Sequence, residues 1–299
     1  MGDMRESELL EHIYARSVGI RASGGWSVVV GPGDDAAVLR SPKGDTVLVT
    51  VDQVVEGRHY EPGTAIDLIA RKAVARSVSD IAAMGGRPSW ATATALLPKG
   101  YAHADELFDR MTHWAGHWGC PLIGGDVASH GSSDHPLTLT VTVAGTPIAE
   151  PVVRSGARAG DGVYVTGALG GSLASGRHLT FEPRTAAAAG LIAALGGRLH
   201  AMIDLSDGLG RDAGRVARAS GVRVELDADA IPMHADVGSW RGALGDGEDY
   251  ELCFAAAGEV VGEVAGTPIT RVGGVREGSG CVVLADGRAI DAGELGWDH

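Results

Sequence analysis

The sequence predicts a mixed fold of the α+β or α/β class, divided into two domains. Strand-like and helix-like segments alternate along its 299 residues, without a repeat of fixed short period. Hydrophobic residues make up 44% of the chain and charged residues 21%, which is enough apolar material for a large core. A stretch punctuated by proline and arginine at 147–161 is the best boundary candidate, so we expect domains over 1–148 and 149–299.

In the first predicted domain, the clearest element is a long helix whose apolar residues recur at helical spacing up to Gly85-Gly86. Asp80 lies in its last turns. The predicted elements are a helix near 9–14, strands at 28–30 and 47–51, helices at 65–84 and 103–119, and strands at 121–123 and 137–144.

The second predicted domain continues the alternation of strands and helices. An alanine-rich helical region at 172–195 is interrupted at Pro183. The other predicted elements are strands at 163–165 and 201–204, a helix at 209–220, and strands at 222–226, 250–255 and 281–284.

Charge and composition exclude several classes of partner. The net charge of −13 disfavours nucleic acid and anionic membranes, which such a field would repel. No segment reaches about 18 uninterrupted apolar residues, and the first residues carry charges ahead of any apolar run, so we expect a soluble, cytoplasmic protein. The three cysteines lie far apart in apolar surroundings and indicate buried free thiols rather than a zinc site.

Short acidic motifs carry the strongest chemical signal, and most of them follow a predicted strand. They are Gly33-Asp34-Asp35, Val51-Asp52, Ser79-Asp80, Gly124-Gly125-Asp126 and Asp204-Leu205-Ser206-Asp207-Gly208. Two like charges about 4 Å apart repel by roughly 4 kcal/mol at an effective dielectric constant near 20. Carboxylates gathered in one cleft therefore need cations, and an all-oxygen donor set favours Mg²⁺ and phosphate chemistry.

Each acidic motif also has an ordinary structural interpretation. Asp34 and Asp35 are common turn residues, Asp52 is a possible cap after its strand, and Asp80 is placed to pair with Arg76 on a solvated helix face. Asp204 and Asp207 are equally typical of a helix N-terminus. Their joint occurrence after apolar runs favours a shared site.

The known phosphate-binding motifs are absent or weak. The sequence has no P-loop and no dinucleotide-binding glycine fingerprint after a strand. A glycine-rich run at 166–172 offers backbone N–H groups to a phosphate, but such a turn is more often structural.

Longer blocks resemble the thiamine-monophosphate kinase family, in that family's order and across nearly the whole chain. The blocks are Gly31 to Val38, Asp52 to His59, Ser79 to Gly85, Leu122 to Asp126, Arg154 to Ala157, Ile203 to Leu209, Gly247 to Phe254, and the terminal Gly296-Trp297-Asp298-His299.

This resemblance implies an enzyme that converts thiamine monophosphate to thiamine diphosphate with ATP and several Mg²⁺ ions. It implies the two-domain fold of the aminoimidazole ribonucleotide synthetase superfamily, in which the N-terminal domain forms a homodimer across its sheet. The C-terminal α/β layer then covers the active site. Selenophosphate synthetase and hydrogenase-maturation proteins share the superfamily, but their catalytic cysteines have no counterpart here.

The resemblance also implies roles for individual residues. The implied metal ligands are Asp34, Thr50, Val51, Asp52, Asp80, Asp126, Asp204 and Asp207. The implied ATP contacts are Gly125, Asp126, Arg154 and Ser206, and the implied substrate contacts are His59, Glu248 and Trp297. Val51 stands where the family often has threonine, and it would contribute only a backbone carbonyl. The chain also departs from the family pattern at Gln53, at Val127 to His130 and at Gly171.

A physical mechanism accompanies these roles. The terminal phosphate oxygen of thiamine monophosphate is already an anion, so direct in-line attack on the γ-phosphorus of ATP needs no general base and no catalytic side chain beyond charge stabilisation. Arg154 supplies a fixed cationic fork in a chain with only three lysines. Trp297 is expected to stack on the cationic thiazolium ring, and Glu248 to compensate its charge. A catalytically silent regulator that binds Mg²⁺ or nucleotide is the rival from another class.

Overall fold

We analysed a computed structural model of the chain, which describes residues 6–260, 262–293 and 295–297. No helix in these ranges is both long and apolar enough to cross a membrane. The helices are α1 (Glu6–Ser17), α2 (Ile66–Ala83), α3 (Ala104–His117), α4 (Ser172–Ser175), α5 (Thr185–Leu195), α6 (Leu209–Ser220) and α7 (Trp240–Gly245).

The strands form two sheets. The first sheet contains β1 (Ser27–Val30), β2 (Ala37–Arg40), β3 (Thr46–Val55), β4 (Gly86–Leu97), β5 (Leu122–Ser129) and β6 (Thr138–Pro147). The second contains β7 (Gly162–Thr166), β8 (Leu199–Asp204), β9 (Arg223–Asp227), β10 (Leu252–Ala256), β11 (Glu263–Val264), β12 (Thr267–Arg276), β13 (Gly280–Ala285) and β14 (Arg288–Asp291).

The first sheet has the strand order β1-β2-β3-β6-β4-β5, and only its β4–β5 pair is parallel. Helices α2 and α3 cover one of its faces. Small side chains of β4, such as Ala91, Ala93 and Ala95, pack into that core, while Thr94 and Leu96 point to the other face. One face of this sheet is therefore covered, and the opposite face is open.

The second sheet has the order β14-β13-β9-β12-β7-β10-β8, with β11 paired to β12. Helix α6 packs on one face, and α5 packs on the other together with the C-terminal end of α2. Strands β7 and β10 are buried along their whole length. Both faces of this sheet are covered in its central part, and α2 contacts both sheets.

Helix α2 ends as the sequence predicts. Gly85 follows it in the left-handed region, with φ 69°, and its N–H donates to the carbonyl of Ala82 at 2.8 Å. A side chain at Gly85 would also collide with Ile192 of α5, since an added Cβ would lie 2.6 Å from the Ile192 Cδ1 atom. Glycine at this position lets α2 stop where it meets the second layer.

The predicted helices at 65–84, 103–119 and 209–220 are confirmed by α2, α3 and α6. The short strand predicted at 121–123 is longer, because β5 continues through Gly124-Gly125-Asp126. An added Cβ at Gly125 would lie 1.9 Å from the Ala93 carbonyl oxygen, so glycine here permits a close approach of two strands instead of ending one. Asp52 likewise lies within β3 and not at its end.

Candidate functional site

Three carboxylates from distant parts of the chain meet between the two sheets. They belong to Asp35 in the loop before β2, Asp80 in the last turn of α2, and Asp204 at the end of β8. One oxygen from each lies within 4.8 Å of the others. Asp35 and Asp204 are buried and Asp80 is half-buried, so we call these three residues the carboxylate cluster.

Neighbouring donors fix the orientation of each carboxylate in the cluster. The Thr50 hydroxyl, on β3, donates to Asp80, and the Ser79 hydroxyl donates to Asp204 at 2.6 Å. The Arg154 guanidinium forms an ion pair with Asp35. These contacts orient the carboxylates, but they provide only one full positive charge for three acids.

The electrostatics of the cluster favour a cation. Burial raises the pKa of Asp80 well above its ordinary value, and repulsion from Asp52, Asp204 and Asp35 raises it further. Burial likewise raises the pKa of Asp204, with Asp35 adding to the effect. A hard divalent ion coordinated by these oxygens would remove the repulsion, and the donor set of carboxylates and a hydroxyl fits Mg²⁺.

Asp34 lies next to Asp35, and backbone N–H groups bind its carboxylate. Its carboxylate accepts the backbone N–H groups of Arg154 and Asp35, both at 3.0 Å. Burial, followed by repulsion from Asp35, raises the pKa of Asp34 to about 6. Asp34 therefore ties the loop before β2 to the segment that carries Arg154, and Asp35 presents its carboxylate to the cluster. The sequence analysis named both aspartates in one acidic motif and proposed Asp34, but not Asp35, as a metal ligand.

Asp52 lies on the covered face of the first sheet beside α2. Its carboxylate accepts the Ser77 hydroxyl at 2.9 Å and lies 3.6 Å from the Arg76 guanidinium. The alternative pairing of Arg76 with Asp80 on a solvated face does not hold, because only 14% of the Arg76 side chain is exposed and its ion pair is with Asp52.

Val51 and Asp126 lie on the open face of the first sheet. Val51 pairs in register with Thr142, and Asp126 pairs with Thr94, whose side chain points away from the helices. Both residues are exposed. The structure therefore does not bring Asp126 into the carboxylate cluster. Gly125 precedes Asp126 on the same strand, β5.

The Asp204-to-Gly208 turn carries a second acidic group. Asp207 forms an ion pair with Arg215, and its backbone N–H donates to Asp212 at 3.0 Å. Asp212 is fully buried, and burial raises its pKa to about 7 despite the opposing charge of Arg215. The Ser206 carbonyl accepts the Glu248 N–H at 2.7 Å, which brings the 247–250 turn to this site.

His59 and Glu248 are connected by Lys72, which the sequence analysis did not assign. The fully buried Lys72 amine donates to the His59 carbonyl at 2.7 Å and forms an ion pair with Glu248. Burial lowers the pKa of Lys72 to about 8, although Glu248 opposes the shift. In the sequence, Lys72 lies among the apolar residues that form the buried face of α2, and a charged residue at such a position indicates a buried partner.

Trp297 lies beside the same turns. Its backbone N–H donates to the Asp207 carbonyl at 3.1 Å, and its indole N–H donates to the Asp246 carbonyl at 2.6 Å. The side chain remains 45% exposed. An aromatic face is thus presented near the 247–250 turn, where a flat ligand can reach it.

A family model places this chain in a broad class. Residues 33–146 match the model described as "AIR synthase related protein, N-terminal domain". These residues include strands β2 to β5 and β6 except its last residue, together with helices α2 and α3.

Individual relatives narrow that class. A thiamine-monophosphate kinase of Rhodopirellula baltica is 36% identical over 83% of this chain and 84% of its own length. One of Salmonella typhimurium is 34% identical over 91% of this chain and 92% of its own. A solved structure described as AaThiL complexed with AMPPCP and TMP matches with a TM-score of 0.80 and 26% identity, covering all of both chains. The chain belongs to the thiamine-monophosphate kinase family.

Proposed function

We propose that this protein transfers the γ-phosphate of ATP to thiamine monophosphate and releases thiamine diphosphate and ADP. The observation that carries this proposal is the carboxylate cluster, because three acids from separate elements share one site, with Arg154 paired to one of them, Asp35. The family relationship supplies the identity of the substrates. It also supports the aminoimidazole ribonucleotide synthetase type of fold.

Asp35, Asp80 and Asp204 would hold Mg²⁺, with Thr50 and Asp52 beside them. The ions would neutralise the negative charge that develops between donor and acceptor phosphates. The number of ions, and the participation of Asp34, the Val51 carbonyl, Asp126 and Asp207 as ligands, are part of the proposal. Asp34 lies next to Asp35 of the cluster and Asp207 lies in the turn that follows Asp204, whereas Asp126 lies on the open face of the first sheet.

Arg154, Ser206, Gly125 and Asp126 are proposed to contact ATP. Arg154 is held by Asp35 and by the Gly33 carbonyl at 3.3 Å, and its buried Nε has no hydrogen-bond partner among the described residues. A planar guanidinium fixed in this way suits a phosphate oxygen. The attacking oxygen of thiamine monophosphate is an anion at neutral pH, so alignment replaces proton removal in the reaction.

His59, Glu248 and Trp297 are proposed to contact the thiamine part of the substrate. Trp297 offers its ring to the thiazolium cation, and Glu248 offers a carboxylate. Because Lys72 already pairs with Glu248, the carboxylate is held in place before the substrate arrives. Its charge is then shared between Lys72 and the incoming cation.

We also propose a homodimer formed by the open face of the first sheet. Exposed apolar side chains occur there and along the unpaired edge strand β5, including Val51 at 62%, Ile123 at 64% and Val127 at 54% exposure. Such a surface is costly to leave in water, and an open strand edge invites pairing. In this arrangement, residues 1–148 bind Mg²⁺ and ATP and form the dimer, and residues 149–299 complete the active site.

The test is incubation of the purified protein with ATP, Mg²⁺ and thiamine monophosphate, followed by chromatography of thiamine diphosphate. We expect product with the monophosphate and metal, and none with free thiamine or with EDTA. Absence of product from folded protein that binds Mg-ATP would contradict the proposal.

A further inference from the structure

Arg76 is a buried cation whose hydrogen-bonding capacity is largely unused. It lies on α2 beneath the covered face of the first sheet, and only 14% of its side chain is exposed. Nε and Nη1 are buried without a hydrogen-bond partner among the described residues, and the contact with Asp52 is 3.6 Å long. Buried donors left unpaired cost free energy, so this guanidinium is arranged for an acceptor that the protein itself does not provide.

Tyr250 is a second buried donor without a partner, and it lies next to Arg76. The residue is 2% exposed, and its hydroxyl has no hydrogen bond among the described residues. Burial raises its pKa well above 10, with Arg76 as its strongest charged neighbour, so the phenol keeps its proton and remains a donor. Its ring stacks on Phe181, with the centroids 3.9 Å apart.

The backbone that presents Tyr250 is strained. Both Glu248 and Tyr250 have positive φ values, 58° and 52°, which are unfavourable for residues other than glycine. Strain of this kind is retained where the surrounding structure has a use for it. The strained turn holds the Glu248 carboxylate toward Lys72 and the Tyr250 ring against Phe181.

The position of Arg76 separates two groups of proposed ligand contacts. Lys72, which holds Glu248 and the His59 carbonyl, precedes it by one turn of α2, and Asp80 of the carboxylate cluster follows it by one turn. A ligand reaching from the proposed thiamine contacts to the cluster therefore passes Arg76.

We propose that Arg76 and Tyr250 together form the subsite that binds the phosphate of the acceptor substrate, thiamine monophosphate. A phosphate monoester has several acceptor oxygens, enough for the guanidinium and the phenol at once. The positive charge of Arg76 offsets the repulsion that Asp52 and Glu248 exert on an incoming anion. This inference rests on the proposed function and deepens it, since the same pair would give the site a preference for thiamine monophosphate over thiamine.

The experiment measures binding of thiamine monophosphate, thiamine and inorganic phosphate by calorimetry, with Mg²⁺ and a non-hydrolysable ATP analogue present. The variants are Arg76→Gln, Arg76→Lys and Tyr250→Phe. Two matched controls are available in the chain. Arg71 is another buried arginine of α2, paired with Glu182, and Tyr164 is another buried tyrosine stacked on a phenylalanine, Phe254.

We expect Arg76→Gln to weaken the binding of thiamine monophosphate by at least about tenfold, because the charge-assisted contacts to the phosphate are lost. The affinity for thiamine should stay within about twofold of wild type, because thiamine has no phosphate. Arg76→Lys should retain part of the preference for thiamine monophosphate over thiamine. Tyr250→Phe should weaken the binding of thiamine monophosphate by a smaller factor than Arg76→Gln does. Arg71→Gln and Tyr164→Phe should keep the wild-type preference. If Arg76→Gln is poorly folded, Arg76→Lys and Tyr250→Phe still test the subsite.

Equal weakening of thiamine and its monophosphate, or no change in either, would overturn the subsite and leave Arg76 as a structural counterion for Asp52. Failure of the proposed function has a different signature. In that case wild-type protein makes no thiamine diphosphate, yet binding of inorganic phosphate still depends on Arg76 if the subsite is real.

Discussion

Neighbouring residues of strand β3 differ in burial, because their side chains lie on opposite faces of the first sheet. On the covered face, Thr50 and Asp52 lie against α2 and bond to Asp80 and Ser77. On the open face, Val51 between them is exposed. Sequence motifs present residues 50–52 as one set, but a strand sends successive side chains to opposite faces. The side chains of these three residues therefore cannot all enter one site on the covered face.

The largest effect is expected at the covered face. Asp80→Asn should abolish turnover, because it removes a carboxylate from the cluster that would hold Mg²⁺. It should also raise the melting temperature in EDTA, since one of several repelling buried charges is gone. Steady-state assays and thermal unfolding check both outcomes.

Asp67→Asn is the control for this variant, because Asp67 lies in the first turn of the same helix. It should keep near wild-type activity. Normal turnover by Asp80→Asn would remove the cluster from the active site.

The proposed dimer is tested at the edge strand β5. Ile123→Glu should convert the proposed dimer to a monomer, because a charge would be buried on an apolar interface. Sedimentation equilibrium measures the mass. Leu284→Glu changes another exposed apolar residue, at 42%, on the second sheet and should leave the dimer intact. A dimeric Ile123→Glu protein would place the interface elsewhere.

Asp126 tests whether the open face of the first sheet contributes to the binding of metal and ATP. Asp126→Asn should lower kcat/KM for ATP by about 10- to 100-fold, which corresponds to about 1.4 to 2.7 kcal/mol of transition-state stabilisation. The fold should be unaffected, since Asp126 is exposed on an edge strand. Unchanged kinetics would restrict the site to the covered face.

Trp297→Ala should raise KM for thiamine monophosphate more than KM for ATP. Loss of a stacked cationic ring costs about 0.5 to 2 kcal/mol, or roughly 2- to 30-fold. Trp26→Ala removes another partly exposed tryptophan, at 39%, and serves as the control in the same kinetic assay. An equal rise for both substrates would indicate a general structural role.

The smallest effect concerns Lys72 and pH. Its pKa is about 8 in the folded protein, lowered by burial from an ordinary value of 10.5. Between these values the unfolded chain holds a proton that the folded chain has released, so the free energy of unfolding rises with pH. The contribution is at most about 3 kcal/mol.

Chemical denaturation from pH 7 to 10.5 measures this dependence. The double variant Lys72→Met with Glu248→Gln replaces both members of the ion pair and should show a flatter profile than wild type. Identical profiles would mean that Lys72 keeps its proton when buried.

Much of the fold follows from sequence periodicity, but parts of the site do not. Helix α2 was predictable because its apolar residues recur at helical spacing and Gly85 ends it. Which of Asp34 and Asp35 faces Asp80 and Asp204 depends on the conformation of the loop before β2. Two adjacent aspartates in a loop carry no periodic signal that would predict it. Strand β4 was missed because its buried residues are small alanines between threonines, which give little hydrophobic contrast.

Helix α2 also sets the spacing between three charged residues of the proposed site. Lys72, Arg76 and Asp80 follow one another at intervals of four residues, so they stand in a row with steps of about 6 Å along the axis. A substitution in this row changes one contact. Insertion or deletion of a single residue would rotate everything beyond it by about 100° and shift it by about 1.5 Å, which breaks the row as a whole. The length of this helix is therefore expected to tolerate far less variation than its composition.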